Sequence, residues 1–126
     1  MPPKPEALSL TLVAHEEHDR EGTSPAVDVG SRGTLRLTLD IERTGWPSTA
    51  ITIETSEDGN APWRPLGVVR PSRNGEPTAI RGFVHTADSS TWRVRECFPG
   101  ADRFVRARWE FPWHDRAVFG VAGEAV

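Results

Sequence analysis

Thr34-Leu35-Arg36-Leu37-Thr38-Leu39-Asp40-Ile41-Glu42-Arg43 decides the fold class. Leu35, Leu37, Leu39 and Ile41 fall on one side of an extended chain, and Thr34, Arg36, Thr38, Asp40 and Glu42 fall on the other. Successive side chains of a strand point to opposite faces, so this period of two predicts a half-buried β-strand. The same style recurs outward in both directions. Before it, Leu8, Leu10, Leu12 and Ala14 alternate with Ser9, Thr11 and Val13, and Ala26 to Val29 reads as a short strand before the turn Gly30-Ser31-Arg32-Gly33. After the break at Gly45-Trp46-Pro47-Ser48, a strand from Ala50 to Thr55 turns Ile51 and Ile53 inward. Ser56-Glu57-Asp58-Gly59-Asn60 is a turn signal, because Asp and Gly supply the backbone angles that tight turns demand. Further strands are expected over Trp63–Val69, Ala79–Thr86, Thr91–Phe98, Arg103–Phe111 and Arg116–Ala122. On the Arg103–Phe111 strand Val105, Ala107, Trp109 and Phe111 share the inward face.

Eight or nine short strands separated by turn signals predict an all-β chain: a single antiparallel β-sandwich or jelly-roll-like domain over residues 8–126. Residues 1–7 hold three prolines and no apolar alternation, and read as a flexible or extended arm. The length of 126 residues suits one domain with a real core. No apolar run approaches the roughly 20 residues of a spanning helix, and the first residues lack the apolar centre of a signal peptide, so no membrane is expected as a partner. A net charge of -3 points away from nucleic acid. Cys97 is the sole cysteine, which excludes an internal disulfide framework and a multi-Cys zinc site.

Chemistry-bearing patterns are sparse. His15-Glu16-Glu17-His18 has its histidines three apart in an expected loop, where a helical zinc motif needs them four apart. A weak divalent site with Asp19 competes there with a solvated charged loop, and the solvated loop is the ordinary reading. Cys97 reads as a small filler in a strand rather than as a nucleophile. No Gly-x-Ser-x-Gly element and no phosphate loop before a helix occurs. Asp28, Asp40, Glu42 and Glu54 lie at outward strand positions or near strand ends, and nothing singles out two of them as a hydrolytic pair. No catalytic residue, metal or cofactor is therefore assigned, and the chain is expected not to be an enzyme.

The arginines and tryptophans supply the interface candidates. Arg93 and Arg95 alternate along one strand, and Arg106 and Arg108 along the next. Pro99-Gly100 fits the centre of a type II turn. If that turn pairs the two strands, four guanidinium groups share one sheet face, suited to phosphate or to acidic residues of a neighbouring subunit, or paired with Glu110 and other nearby acids as a solvated face. Trp63 and Trp109 are expected in the core. Trp46, between Gly45 and Pro47, and Trp113, after Pro112, are the exposed candidates.

Thr55-Ser56-Glu57-Asp58-Gly59 with Trp63-Arg64-Pro65-Leu66-Gly67, the run from Phe98 to Trp109, and the ending Phe119-Gly120-Val121-Ala122-Gly123-Glu124-Ala125-Val126 resemble small β-sandwich virion proteins of tailed bacteriophages. The Gly33–Asp40 strand fits the same style. The resemblance implies a structural protein of the capsid-decoration or head–tail accessory kind, a homo-oligomer that binds a major capsid or tail protein, located in the virion after assembly in the host cytoplasm. A weaker resemblance is to discoidin-like galactose-binding jelly rolls, carried by Ser56, Asp58, Gly59 and Trp63 and by Arg103-Phe104-Val105-Arg106. It implies a carbohydrate-binding module with a glycan partner, and the paired cysteines of that family are missing here.

Overall fold

The computed structural model describes residues 6–42, 49–71, 76–79, 82–88, 90–111 and 116–126. They form ten strands: β1 (Leu8–His18), β2 (Gly22–Thr23), β3 (Val27–Asp28), β4 (Thr34–Glu42), β5 (Ala50–Ser56), β6 (Arg64–Val69), β7 (Phe83–Asp88), β8 (Thr91–Pro99), β9 (Phe104–Glu110) and β10 (Ala117–Ala125). No helix occurs among the described residues. Two sheets pack as a β-sandwich. The first has the order β1-β10-β4-β8-β7; the second runs β2-β9-β5-β6, with β3 also paired to β9. Every neighbour is antiparallel.

The alternation on β4 does what it predicts: Leu35, Leu37, Leu39 and Ile41 are buried between the sheets. Ile51 and Ile53 of β5, and Val105, Ala107 and Trp109 of β9, line the same core from the other sheet. Phe119 and Val121 of β10 complete it. Phe98 of β8 crosses the gap onto Gly67 of β6, where a Cβ would lie 2.8 Å from the ring. Glycine at 67 lets the two sheets approach there.

Three expectations need correction. The charged run His15-Glu16-Glu17-His18 is not a loop. It continues β1, with Glu16 opposite Phe119, Glu17 opposite Val118 and His18 opposite Ala117. Register shifts between Thr11 and Val13 and between Val13 and Glu16 change which face each residue takes. Val13 is buried and Ala14 exposed, the reverse of a simple alternation. The second correction concerns Pro99-Gly100. Gly100 has φ +83°, as the third residue of a type II turn requires, but the turn does not make a hairpin. It carries the chain from one sheet to the other: Pro99 is opposite Thr34 in the first sheet, and Phe104 is opposite Ser56 in the second. The crossing is held by Ala101 N–H donating to Gly33 O at 2.9 Å and Asp102 N–H donating to Thr55 Oγ1 at 2.7 Å.

The third correction is Trp63, which is half-buried outside the core, while Trp109 is inside it as expected. Trp109 Nε1 donates to Arg20 O at 2.9 Å. The His18 ring packs 4.8 Å from Trp109 and 4.5 Å from Phe119, centroid to centroid. Trp109→Ala therefore removes a core aromatic, a hydrogen bond and the support of His18. It should cost about 3–5 kcal/mol, read as a lowered denaturant midpoint with an unchanged slope.

Candidate functional site

Outward residues of β5 and β9 build the most connected polar cluster. Glu54 stands opposite Arg106 across the ladder, and Arg108 follows on the same face. Arg106 Nε donates to Glu54 Oε1 at 3.0 Å, and Arg108 Nε to Glu54 Oε2 at 3.1 Å. Arg108 also reaches Glu110. Above them the Arg106 guanidinium lies 4.0 Å from the centre of the Trp63 ring, a cation–π stack. Glu54 is only 6% exposed although it points away from the core. A carboxylate so covered needs both guanidinium groups.

The β5–β6 hairpin delivers Trp63 to this position. Ser56 Oγ accepts from Gly59 N–H at 3.1 Å and donates to Asn60 O at 2.6 Å. Asp58 Oδ1 accepts from Asn60 N–H at 2.9 Å. Gly59 takes φ +83°. The Asn60 N–H first, and then the Ser56 hydroxyl, hold the Asp58 carboxyl below the usual range. Beyond the turn, Arg64 donates to Gly100 O at 2.7 Å and to Asp102 at 3.2 Å. A groove of about 310 Å³ opens there, bordered by Ser56, Asp58, Pro62, Arg64 and Asp102.

Arg93 and Arg95 lie elsewhere. Because β8 and β9 belong to different sheets, the two arginine pairs occupy opposite outer surfaces of the sandwich, and the expected four-arginine face does not form. Arg93 Nε donates to Asp40 Oδ1 at 2.7 Å. Arg95 is exposed, 5.7 Å from the ring centre of Phe83 on β7. Phe83, 56% exposed, lies beside His85 with ring centres 5.6 Å apart. Half-buried Cys97 lines a groove of about 280 Å³ with Arg36, Phe83 and Arg95. Trp46 and Trp113 lie outside the described residues, as does His114.

The His15–His18 segment does not converge on a metal. His15 faces Glu42 at 3.7 Å, Glu17 faces Arg116 at 3.3 Å, and His18 turns into the core. Among the described residues no group of three or more His, Cys, Asp or Glu side chains is placed to hold an ion. Asp28 is bound by Arg103 through contacts of 2.9 to 3.2 Å. That guanidinium first, and the Gly30 N–H next, hold its carboxyl below the usual range. Asp28 and Asp58 are thus acceptors at neutral pH, not proton donors.

Two features escape a reading by alternation. Glu54 appears in sequence as one more outward acid; its role requires the β5–β9 register. Phe83 looks like any strand aromatic, and its exposure follows from its place on an edge. No protein-family model matches the chain, and neither does any curated protein or solved structure.

Replacing Arg106 and Arg108 with Ser takes both counter-charges from Glu54, and should cost about 3 kcal/mol. Adding Glu54→Gln should recover most of that loss, because the stranded charge is gone. Equal denaturant midpoints for parent and double variant would show the cluster to be energetically idle. The Asp28–Arg103 pair sets a pH dependence. A carboxyl depressed in the folded state adds stability above its unfolded value of about 3.9, and the gain disappears as pH falls through the folded value. Parent and Asp28→Asn should differ in melting temperature at pH 6 to 7 and converge in strong acid, as read by thermal melts across pH.

Proposed function

We propose that the chain is a non-enzymatic assembly protein, a building block of a tailed-phage virion of the capsid-decoration or head–tail accessory kind. The observation that carries the non-enzymatic part is the state of the outward carboxylates. Glu54 is held by Arg106 and Arg108, Asp40 by Arg93, Asp28 by Arg103 and Asp102 by Arg64. Acid–base hydrolysis needs two carboxyl groups free to face a substrate. Here each of these acids is tied instead to an arginine by a contact of 2.7 to 3.2 Å. The same pairs tie neighbouring strands together across both outer surfaces, which suits a rigid block that is held at its edges and loops.

The virion part is supported by the sequence resemblance over residues 8–126 and by the β-sandwich itself, a shape that presents edges and loops to neighbours. In a repeating shell many modest contacts add up to firm attachment. The alternative, a carbohydrate-binding module, would use Trp46 or Trp113 as its stacking platform, and both lie outside the described residues. Two measurements test the proposal together. Genes flanking this one should encode capsid, portal or tail proteins, and the purified chain should co-sediment with empty heads built from the flanking capsid gene. Flanking genes of another kind, or heads that sediment without the chain, would overturn it. Glycan-array binding would favour the carbohydrate module.

A further inference from the structure

We propose that Asp58-Gly59 is a latent site of isoaspartate formation, and that the buried hydroxyl of Ser56 keeps it closed. This chemistry concerns the lifetime of the backbone and is independent of the assembly reading. The sequence has two bonds of the Asp-Gly or Asn-Gly kind. Asn74-Gly75 lies outside the described residues, and Asp58-Gly59 sits in the turn between β5 and β6.

The reaction needs no partner but water. The Gly59 nitrogen attacks Asp58 Cγ: an N–C bond forms, the nitrogen gives up its proton, and one carboxyl oxygen leaves as water. Water then opens the resulting succinimide ring at the Asp58 main-chain carbonyl. The chain now runs through Asp58 Cβ and Cγ, longer by one main-chain carbon and unchanged in mass. Glycine after the aspartate favours ring closure, because no Cβ screens the nitrogen or restricts its approach. Asp58 is exposed, so solvent reaches the reacting groups.

Both reacting groups are engaged. Gly59 N–H donates to Ser56 Oγ at 3.1 Å, which holds the proton that the nucleophile must lose. Asp58 Oδ1 accepts from Asn60 N–H at 2.9 Å and lies 3.1 Å from Ser56 Oγ, which pins the carboxyl group. The same bonds favour the carboxylate, a much poorer electrophile than the acid. Ser56 joins the two halves of this set. It is 2% exposed, and its hydroxyl donates to Asn60 O at 2.6 Å, so water does not compete for it. Asp58 thus stands in solvent while its hydrogen-bond partner stands in the protein. An added carbon at position 58 would undo these bonds and shift the start of β6. It would draw Trp63 from Arg106, and Arg64 from Gly100 O and Asp102.

Prolonged incubation at neutral pH tests the guard, with isoaspartate at position 58 read by chromatography of the proteolytic peptide that contains it. The folded parent should accumulate isoaspartate more slowly than a synthetic peptide spanning Ile53–Arg64. Ser56→Ala should speed the reaction at least about fivefold, the factor that one ordinary hydrogen bond is worth. Ser56→Cys keeps the volume of the buried side chain and puts a weak acceptor in place of the oxygen, so it reports the same loss where Ser56→Ala does not fold. Val94→Ala, in the core on β8 and remote from the turn, lowers global stability and should leave the rate at position 58 at the parent's value. Three results would overturn the proposal: a parent as fast as the peptide, folded Ser56 variants no faster than the parent, or a rise in Val94→Ala equal to theirs.

Discussion

The structure depends on burying two alternating apolar faces against each other. Leu35, Leu37, Leu39 and Ile41 on one sheet, and Ile51, Ile53, Val105 and Ala107 on the other, are all at or near zero exposure. Neither face is stable in water by itself, because roughly 25 cal/mol is lost for each Å² of apolar surface left wet. The order of strands serves that burial. β4 is central in one sheet, β5 and β9 are central in the other, and the less apolar β2, β3, β6 and β7 are pushed outward.

Central placement also explains the charge arrangement. A strand flanked on both sides has its outer face shaded by long neighbouring side chains. On β5 every residue from Ile51 to Ser56 is buried, Glu54 included. A carboxylate in that position must be matched, and the β9 register supplies Arg106 and Arg108 to match it. On the other surface Asp40 and Arg93 meet across β4 and β8 by the same geometry. The abundance of arginine in the chain thus finds a structural use: a planar fork satisfies a carboxylate with directed hydrogen bonds, which an ammonium group cannot do as well. These pairs join adjacent strands on both outer surfaces.

Much of the architecture is legible in the residues, and the places where it is not have a common cause. β4 and β9 read correctly because strict alternation specifies both the strand and its buried face. The turn at Ser56–Asn60 reads correctly because its hydrogen bonds are local: Ser56, Asp58, Gly59 and Asn60 bond one another. The end of β1 does not, since His15-Glu16-Glu17-His18 has loop-like composition and is drawn into a strand by β10 beside it. Of the candidate interface residues, Arg106 and Arg108 do share a face, as their spacing requires. Their partner Glu54 is invisible without the pairing of β5 with β9. Trp63 shows the same limit, because its partner Arg106 lies on a strand that is remote in sequence.

The sequence by itself determined the all-β class, most strand positions and the inward faces of β4, β5 and β9, because these depend on side-chain alternation over a few residues. Only the tertiary structure decided which strand lies beside which. Pro99-Gly100 has the local form of a tight turn in either case: Gly100 adopts its positive φ whether the chain folds back beside β8 or crosses to the other sheet. What selects the crossing is remote: Gly33 and Thr55 receive the N–H groups of Ala101 and Asp102, while β4 already occupies the side of β8 that β7 leaves open. That choice sends Arg93 and Arg95 to one surface and Arg106 and Arg108 to the other. Sequence spacing fixes the direction of a side chain along its own strand, but the neighbour it meets is set by the competition of all strands for the core.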